Sequence, residues 1–492
     1  MSHLLGKNSR VLWILEIVVI CALAVSILVY HIYGYYYGCH PGFDFLIHQE
    51  SLNALSTLKS FNPFVFCQNI NIFNDHFDPI IFTGILFVKL FQGNIVGHLL
   101  FQSFWYWAML LFVFFTSKGN RKACMFSLFM VVLSGGLLAG LTFPLHPMTW
   151  SMLPLVMLCY CLRKQNRIGI VLLSCFLCLF KETFPYASLF LGLWILFRKQ
   201  YKTAIPIIIF AGAYLLFINF FREELIGPMF PYKDVYLDPL KENIIDRIIF
   251  LFKTLDYKSW FYLLYPFVIP LFLLVKKEVW GSKWWEHDAI IPALIYLIPF
   301  VGIHFLSNIM LKWNQVTFTS IFLGLIVFSS IPAMLLEKKK LAVLVIVVMI
   351  LGSSRYYTRI FKLLIFNKGG SCKIVAPARK SLVKAREIVK NIEKGKVIVA
   401  TSGFIPWSNE VGKVILPAGG NSEKPIDIDY LILQRNGAGY TLPWDGARVE
   451  MTIKFCMGVE RIIEDDFIFL AKGPFSKQCL DYIGYQWNTR VF

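Results

Sequence analysis

The sequence predicts an all-α polytopic membrane domain, followed by a small extracytoplasmic α/β domain. Of its 492 residues 57% are hydrophobic and the mean hydropathy is +0.61, which is more apolar surface than a soluble core can bury. The apolar stretches approach the length needed to cross a bilayer, and about eleven of them qualify. Short turns rich in Lys and Arg separate pairs of these stretches. The hydropathy falls from about residue 371 onwards.

The basic turns predict the orientation of the chain in the membrane. Paired apolar stretches lie between successive basic turns, so every basic turn returns the chain to the same face, which the positive-inside rule assigns to the cytoplasm. We therefore predict a multi-pass protein of the bacterial inner membrane, with a cytoplasmic N-terminus and an extracytoplasmic C-terminal domain. The turns are Lys7/Arg10 and residues 118–122, 163–167, 198–202, 276–283 and 338–340.

The spans divide the chain into two predicted domains: residues 1–370, with a first outer loop at 38–95, and residues 371–492. The apolar piece 79–91 is too short to cross and contains a lysine, so we predict an interfacial helix at the outer surface. Counting it as a span would invert every later loop. The predicted spans are 11–31, 96–116, 123–142, 147–162, 167–181, 184–197, 203–221, 259–275, 288–306, 315–336 and 341–364.

Three consecutive spans, 147–162, 167–181 and 184–197, are unusually short. With about 14 to 16 residues each they reach roughly 21–24 Å, against a hydrocarbon core of about 30 Å. Basic turns fix their inner ends, so the missing length must appear at the outer face. The sequence therefore predicts a polar hollow at headgroup depth, where non-helical backbone is tolerated because it lines a cavity.

The first outer loop carries three candidate catalytic or binding residues, Asp44, Asp75 and His76. An aspartate just outside the membrane can accept a proton from an acceptor hydroxyl, and a neighbouring imidazole can donate one to a phosphate leaving group. Structural roles also explain the pattern. Asp44 could cap the following helix, and Asn-Asp before a proline is typical of turns.

Two further turns place candidate substrate-binding residues at the same face: His146, before Pro147, and the Lys181-Glu182 pair. Alone, each has a structural explanation, since a histidine before a helix-starting proline can be a cap and a lysine at a helix end can reach the headgroups. Together with the first loop, they bring donors to the depth of a lipid phosphate. Glu182 either orients Lys181 or neutralises it.

The C-terminal domain is predicted from alternating helix and strand patterns. Residues 379–394 have helical spacing, 396–401 and 428–433 are typical of buried strands, and 461–471 are typical of a hairpin. No glycine-rich phosphate-binding spacing is present.

Charge and cysteine content limit the partners. The net charge of +18 does not indicate nucleic acid binding, because Lys and Arg concentrate in the short turns, where they meet membrane lipid. The 11 cysteines form no paired CxxC pattern, so no metal site is predicted from them, and a loop disulfide between Cys39 and Cys67 is possible.

An ordered set of short motifs resembles a family of bacterial and archaeal predicted membrane proteins in the GT-C glycosyltransferase superfamily. The resemblance implies a multispan enzyme that takes a sugar from a polyprenyl-phosphate carrier at the outer face of the membrane. It implies a glycan, lipid or protein acceptor, an acidic base at Asp44 or Asp75, and His76, His146 and Lys181 near the phosphate. The motifs are Phe43-Asp44 with His48-Gln49, residues 74–80, His146-Pro147, Lys181-Glu182, 396–400 and 429–433.

The chain departs from the family pattern where the family tends to read Phe-Asp-Phe-His-Pro-Glu, since residues 143–148 contain neither carboxylate. A divalent metal held by carboxylates loses support, and no cofactor is predicted. Two other functions stay open. A transporter or lipid flippase would need ionisable or broken-helix sites near the bilayer midplane. In this chain Glu16 is the main charge inside a span, and the interrupted polar sites lie at one face. A catalytically silent assembly protein could use the same scaffold.

Overall fold

The computed structural model describes a helical region within residues 2–306, which we call the membrane-type region, and a small C-terminal sheet domain. Most described residues before the C-terminal domain are helical. The described residues are 2–36, 42–65, 70–116, 145–226, 290–306, 347, 368–369, 372–374, 376–400, 413–415, 428–435, 438–440, 445–456, 458–480 and 482.

Three of the described helices contain segments long and apolar enough to cross a membrane: Ile14–Ile32, Ile95–Thr116 and Tyr201–Ile226. They coincide with three of the spans predicted from the sequence. The predicted spans 123–142, 259–275, 315–336 and 341–364 lie wholly or almost wholly outside the described residues, so the total of about eleven stays a prediction.

The described helices before the C-terminal domain follow one another closely along the chain. In chain order they are α1 (Ser2–Tyr36), α2 (Gly42–Ser56), α3 (Ile72–Asp75), α4 (Ile85–Leu90), α5 (Ile95–Thr116), α6 (Pro147–Trp150), α7 (Met152–Lys164), α8 (Arg167–Leu177), α9 (Thr183–Phe197), α10 (Tyr201–Leu216), α11 (Arg222–Ile226) and α12 (Ile290–Leu306).

Helices α7 to α10 form successive antiparallel hairpins with two chemically different ends. The connections after α7 and α9 carry the basic turns 163–167 and 198–202. The opposite end holds the turn that starts α6, the turn between α8 and α9, and a π-helical turn, Phe217–Phe221, that leads into α11. Neighbouring helices pack on one another, with α9 between α10 and α12. Basic turns and candidate site turns therefore lie at opposite ends of these hairpins.

The helices in this part are as short as the sequence predicts. Helix α7 has 13 residues, α8 has 11 and α9 has 15. At about 1.5 Å per residue, α8 extends only about 16 Å. Helix α7 ends at Lys164 and is followed by Gln165, which has a left-handed φ of 52°. Asn166 then caps α8 by accepting from the Gly169 N–H at 3.1 Å. The left-handed residue and the helix cap that follows it together form the turn between α7 and α8.

The first outer loop folds onto the end of the bundle opposite these basic turns. A 3-10 helix, Pro79–Gly84, followed by α4 occupies the piece predicted as an interfacial helix. The Ile80 N–H donates to the Leu179 carbonyl at 3.0 Å, which ties the loop to the turn after α8. Strands β1 (Phe64–Val65) and β2 (Ile70–Asn71) pair antiparallel just before α3.

The C-terminal domain contains a five-stranded mixed sheet between two helices and a separate three-stranded antiparallel sheet. Strand β5 (Val397–Ala400) pairs in parallel with β6 (Lys413–Ile415) and β7 (Tyr430–Gln434). Strand β10 (Ile468–Lys472) pairs antiparallel with β7 and with β9 (Glu460–Glu464). The remaining elements are β3 (Lys368–Gly369), β4 (Cys372–Ile374), α13 (Ala376–Lys390), β8 (Ala438–Tyr440) and α14 (Asp445–Phe455).

Alternating side chains assign each helix to one face of this sheet, because successive residues of a strand point to opposite faces. Ile432 and Leu470 share a buried cluster with Leu382 of α13. Leu431 and Phe469, their neighbours in sequence, share another with Val449 and Ile453 of α14. Helix α13 therefore covers one face of the sheet and α14 covers the other.

The C-terminal domain contacts the membrane-type region at the end of α1. The guanidinium of Arg386 in α13 lies 5.3 Å from the centroid of the Tyr35 ring, and Tyr35 is buried. A disulfide joins Cys456, at the end of α14, to Cys479. The suggested Cys39–Cys67 pair lies outside the described residues.

Candidate functional site

Glu182 connects three separate parts of the chain. One oxygen, Oε1, accepts from the Phe77 N–H at 2.9 Å and faces the Arg222 Nη1 at 3.4 Å. The other, Oε2, lies 3.4 Å from His76 Nδ1. Both oxygens are thus engaged with protein groups, which favours a positioning role for Glu182 over direct contact with substrate.

The electrostatics of this position hold Glu182 in its charged form. Burial would raise the pKa of the carboxyl, but the charges of His76, Arg222 and Lys181 and the hydrogen bond with His76 together hold that pKa well below its usual range. A carboxylate with a depressed pKa stabilises the folded state above its unfolded pKa of about 4.3, and this stabilisation is lost as the pH falls through the folded pKa.

Glu182→Gln should therefore lower the free energy of unfolding most at neutral pH. The difference from wild type should shrink as the pH falls below about 4.3, because the glutamine cannot titrate. Thermal unfolding of the solubilised protein between neutral and acid pH measures this difference. A difference that stayed constant with pH would contradict the charged assignment.

His76 and Glu182 form a pair suited to proton transfer. A carboxylate close to Nδ1 keeps the proton on that nitrogen and orients the ring. The His76 side chain is 31% exposed, so the ring is partly accessible from outside the protein. An oriented, accessible imidazole is the usual side chain for general acid or base catalysis.

His146 has a different chemical state. Its Nδ1 accepts from the Met148 N–H at 3.2 Å, so it caps α6, and the proton of the neutral ring must lie on Nε2. Burial lowers the pKa of His146, and the nearby charge of Lys181 lowers it further. His146 is therefore a neutral hydrogen-bond donor at physiological pH, with the capping role that the sequence left open.

A buried glutamine fixes the position of the His146 turn. Gln102 of α5 is fully buried, and its Oε1 accepts from the Leu145 N–H at 3.0 Å and from Trp150 Nε1 at 2.7 Å. Its Nε2 donates to the Thr149 hydroxyl oxygen at 2.8 Å. The turn is thereby anchored to α5 even though Leu145 adopts a left-handed φ of 59°.

Helix α2 extends the cluster towards His146. The ring of His48 lies 6.0 Å from the ring of His146 and 5.8 Å from that of Trp150. Asp44 lies on the same helix, one turn before His48. The first loop therefore reaches the cluster through two segments, α2 and the residues around His76.

The predicted site residues belong to segments at one end of the bundle, but the structure describes the side chains of only some of them. The structure brings His76 against Glu182, and His146 close enough to Lys181 for its charge to act. Asp44 is in the first turn of α2, and Asp75 ends α3 directly before His76. For these two aspartates the structure describes the backbone only.

Arg222 belongs to the cluster and was not predicted from the sequence. Its side chain is 1% exposed, and Nε and Nη2 both donate to the Phe73 carbonyl, with Nε at 3.0 Å. Asn62 supports the same segment, accepting from the Phe73 N–H at 2.9 Å and donating to the Asn74 side chain at 2.9 Å. The sequence did contain an indication of its role, because Arg222 is the first charged residue after the long apolar run 203–221.

Within the part of the chain that the structure describes, no group of three or more His, Cys, Asp and Glu side chains could hold a metal ion. The cluster itself consists of the imidazoles of His76 and His146, Lys181 and the Arg222–Glu182 pair, a set suited to proton transfer and to binding an anion. No protein-family model matches the chain, and no curated protein sequence matches it significantly.

Proposed function

We propose that this chain is an integral membrane glycosyltransferase of the GT-C type, which moves a sugar from a polyprenyl-phosphate donor to an acceptor at the extracytoplasmic face. The observation that carries the proposal is the ionisable cluster His76, Glu182, Arg222, His146 and Lys181 at one end of short apolar helices. A lipid phosphate lies at the depth where such helices end.

The disulfide supports the outer location of this cluster independently of the basic turns. Disulfides form and persist in oxidising compartments. The domain that holds Cys456–Cys479 contacts Tyr35 at the end of α1 that leads into the first loop, and that loop carries His76. An oxidising environment for the C-terminal domain is therefore also the environment expected for the cluster.

In the proposed reaction, Asp44 or Asp75 accepts the proton of an acceptor hydroxyl or amine. The acceptor atom forms a bond to the anomeric carbon while the bond from that carbon to the phosphate oxygen breaks. The departing polyprenyl phosphate carries the bonding electrons, and Lys181 and the His146 Nε2–H stabilise its charge. His76, oriented by Glu182, can protonate the phosphate.

The positions of the buried ionisable residues in the described spans do not favour a transporter. In the three described spans the buried acidic, basic and histidine residues lie near a span end: Glu16 and His31 in Ile14–Ile32, His98 in Ile95–Thr116 and Arg222 in Tyr201–Ile226. A transport site would be expected near the bilayer midplane.

A transfer assay tests the proposed function directly. Proteoliposomes of the purified protein are incubated with polyprenyl-phosphate hexoses labelled in the sugar and with a cell-envelope extract as acceptor. We expect labelled product and free polyprenyl phosphate in equal amounts. Movement of intact labelled donor between leaflets without release of polyprenyl phosphate would favour a flippase instead, and no change in the donor would contradict both.

A further inference from the structure

Helix α13 carries a flank whose chemistry and position fit a lipid surface. Val383, Arg386 and Lys390 are spaced three and four residues apart, so they lie on one side of the helix. Val383 is 58% exposed despite being apolar, and Lys390 is exposed. This side is distinct from the side that packs on the sheet through Leu382 and neighbouring apolar residues.

The position of this flank relative to the membrane follows from Arg386. Its guanidinium lies against the ring of Tyr35, which is three residues beyond the end of the apolar segment Ile14–Ile32. At about 1.5 Å per residue, Tyr35 lies about 4.5 Å past the apolar core, at headgroup depth. Tyrosines are enriched at that depth because their rings are apolar and their hydroxyls are polar.

The flank also carries exposed Glu387, but Arg386, Lys390 and Lys394 leave it with a net positive charge, which favours anionic headgroups over zwitterionic ones. Lys390 and Lys394 are both exposed, and neither has an ion-pair partner among the residues that the structure describes. Basic side chains next to a membrane bind anionic lipid. An exposed apolar side chain beside them, here Val383, can enter the headgroup layer.

We propose that the flank formed by Val383, Arg386 and Lys390, extended by Lys394, rests on an anionic phospholipid surface and fixes the C-terminal domain against the membrane. This interaction does not depend on glycosyl transfer. It orients one face of the sheet domain to the lipid and leaves the α14 face away from it.

Photo-crosslinking tests the proposal on the full-length protein in nanodiscs. The photoreactive residue p-benzoylphenylalanine replaces Val383 in one variant and Met451 of α14 in another. Met451 is a matched control because it is also apolar and exposed, at 42%, on the opposite helix layer. The nanodiscs contain phosphatidylcholine alone or mixed with phosphatidylglycerol, and mass spectrometry measures lipid adducts.

We expect phosphatidylglycerol adducts at position 383 to exceed those at 451 by about fivefold or more, and to fall in high salt. Lys390→Glu with Lys394→Glu should abolish this excess. The control pair, Lys454→Glu with Lys477→Glu, makes the same change in net charge on the α14 side and should leave it intact.

Two results would overturn the proposal. One is an equal yield of lipid adducts at positions 383 and 451, and the other is an adduct yield at 383 that does not change with lipid charge or salt concentration. The salt and lipid comparisons use the otherwise unaltered chain. They therefore decide the question even where a lysine double variant fails to fold.

Discussion

Arg222→Ala is expected to destabilise the protein by about 3 kcal/mol, because it removes the buried partner of an ion pair whose other member, Glu182, is largely buried. The variant leaves the Phe73 carbonyl without its two guanidinium donors and removes the Arg222 charge from beside Glu182. The segment from Phe73 to Phe77 then loses its attachment to α11. Glycosyl transfer should fall with it, since that segment positions His76.

Thermal unfolding of the solubilised protein measures this loss. Arg222→Lys is the intermediate case, because it keeps the charge but not the planar fork that donates twice to one carbonyl. Arg167→Ala is the matched control, an exposed arginine at the opposite end of the hairpins. An unfolding temperature for Arg222→Ala equal to that of Arg167→Ala would show that the buried pair does not hold the first loop.

Replacing the catalytic base is expected to have the largest effect on transfer. General base catalysis contributes about 10²- to 10⁴-fold, and asparagine keeps the shape of aspartate without its basicity. Asp75→Asn and Asp44→Asn are therefore compared separately. The variant that loses activity by this factor, while unfolding at the wild-type temperature, identifies the base.

Both aspartates are close in sequence to histidines in or beside the cluster. Asp75 directly precedes His76, and Asp44 lies one helical turn before His48, whose ring is 6.0 Å from that of His146. Glu224→Gln, an exposed carboxylate on the same end of the bundle, is the matched control and should retain activity. Full transfer by both aspartate variants would remove the assigned base and favour the catalytically silent alternative.

Sequence reasoning could locate the site turns because local signals define them. His146 before Pro147 starts a helix, and short apolar runs between basic turns predict where α8 and α9 must turn. The C-terminal strands were predictable for the same reason, since runs such as Val397–Ala400 are apolar and bounded by polar residues. These features depend on neighbours in sequence.

The partners of Glu182 could not be predicted, because its hydrogen bond to the Phe77 N–H joins residues 105 positions apart. Sequence alone suggested that Glu182 serves the adjacent lysine, whereas the structure places it against His76 and Arg222. Gln102 was missed because a polar residue within an apolar helix has no partner that the sequence identifies, and its role appears only when Leu145 and Trp150 are brought to it. The Cys456–Cys479 pairing likewise required the fold.

The proposed reaction requires that the cluster around Glu182 and Lys181 bind a lipid phosphate at the outer membrane surface. The most direct measurement is an electron cryo-microscopy structure of the full-length protein in nanodiscs containing polyprenyl phosphate. We expect phosphate density within hydrogen-bonding distance of Lys181, at the end of the bundle where His76 meets Glu182. Phosphate density beside the basic turns 163–167 or 198–202, with none near Lys181, would contradict it.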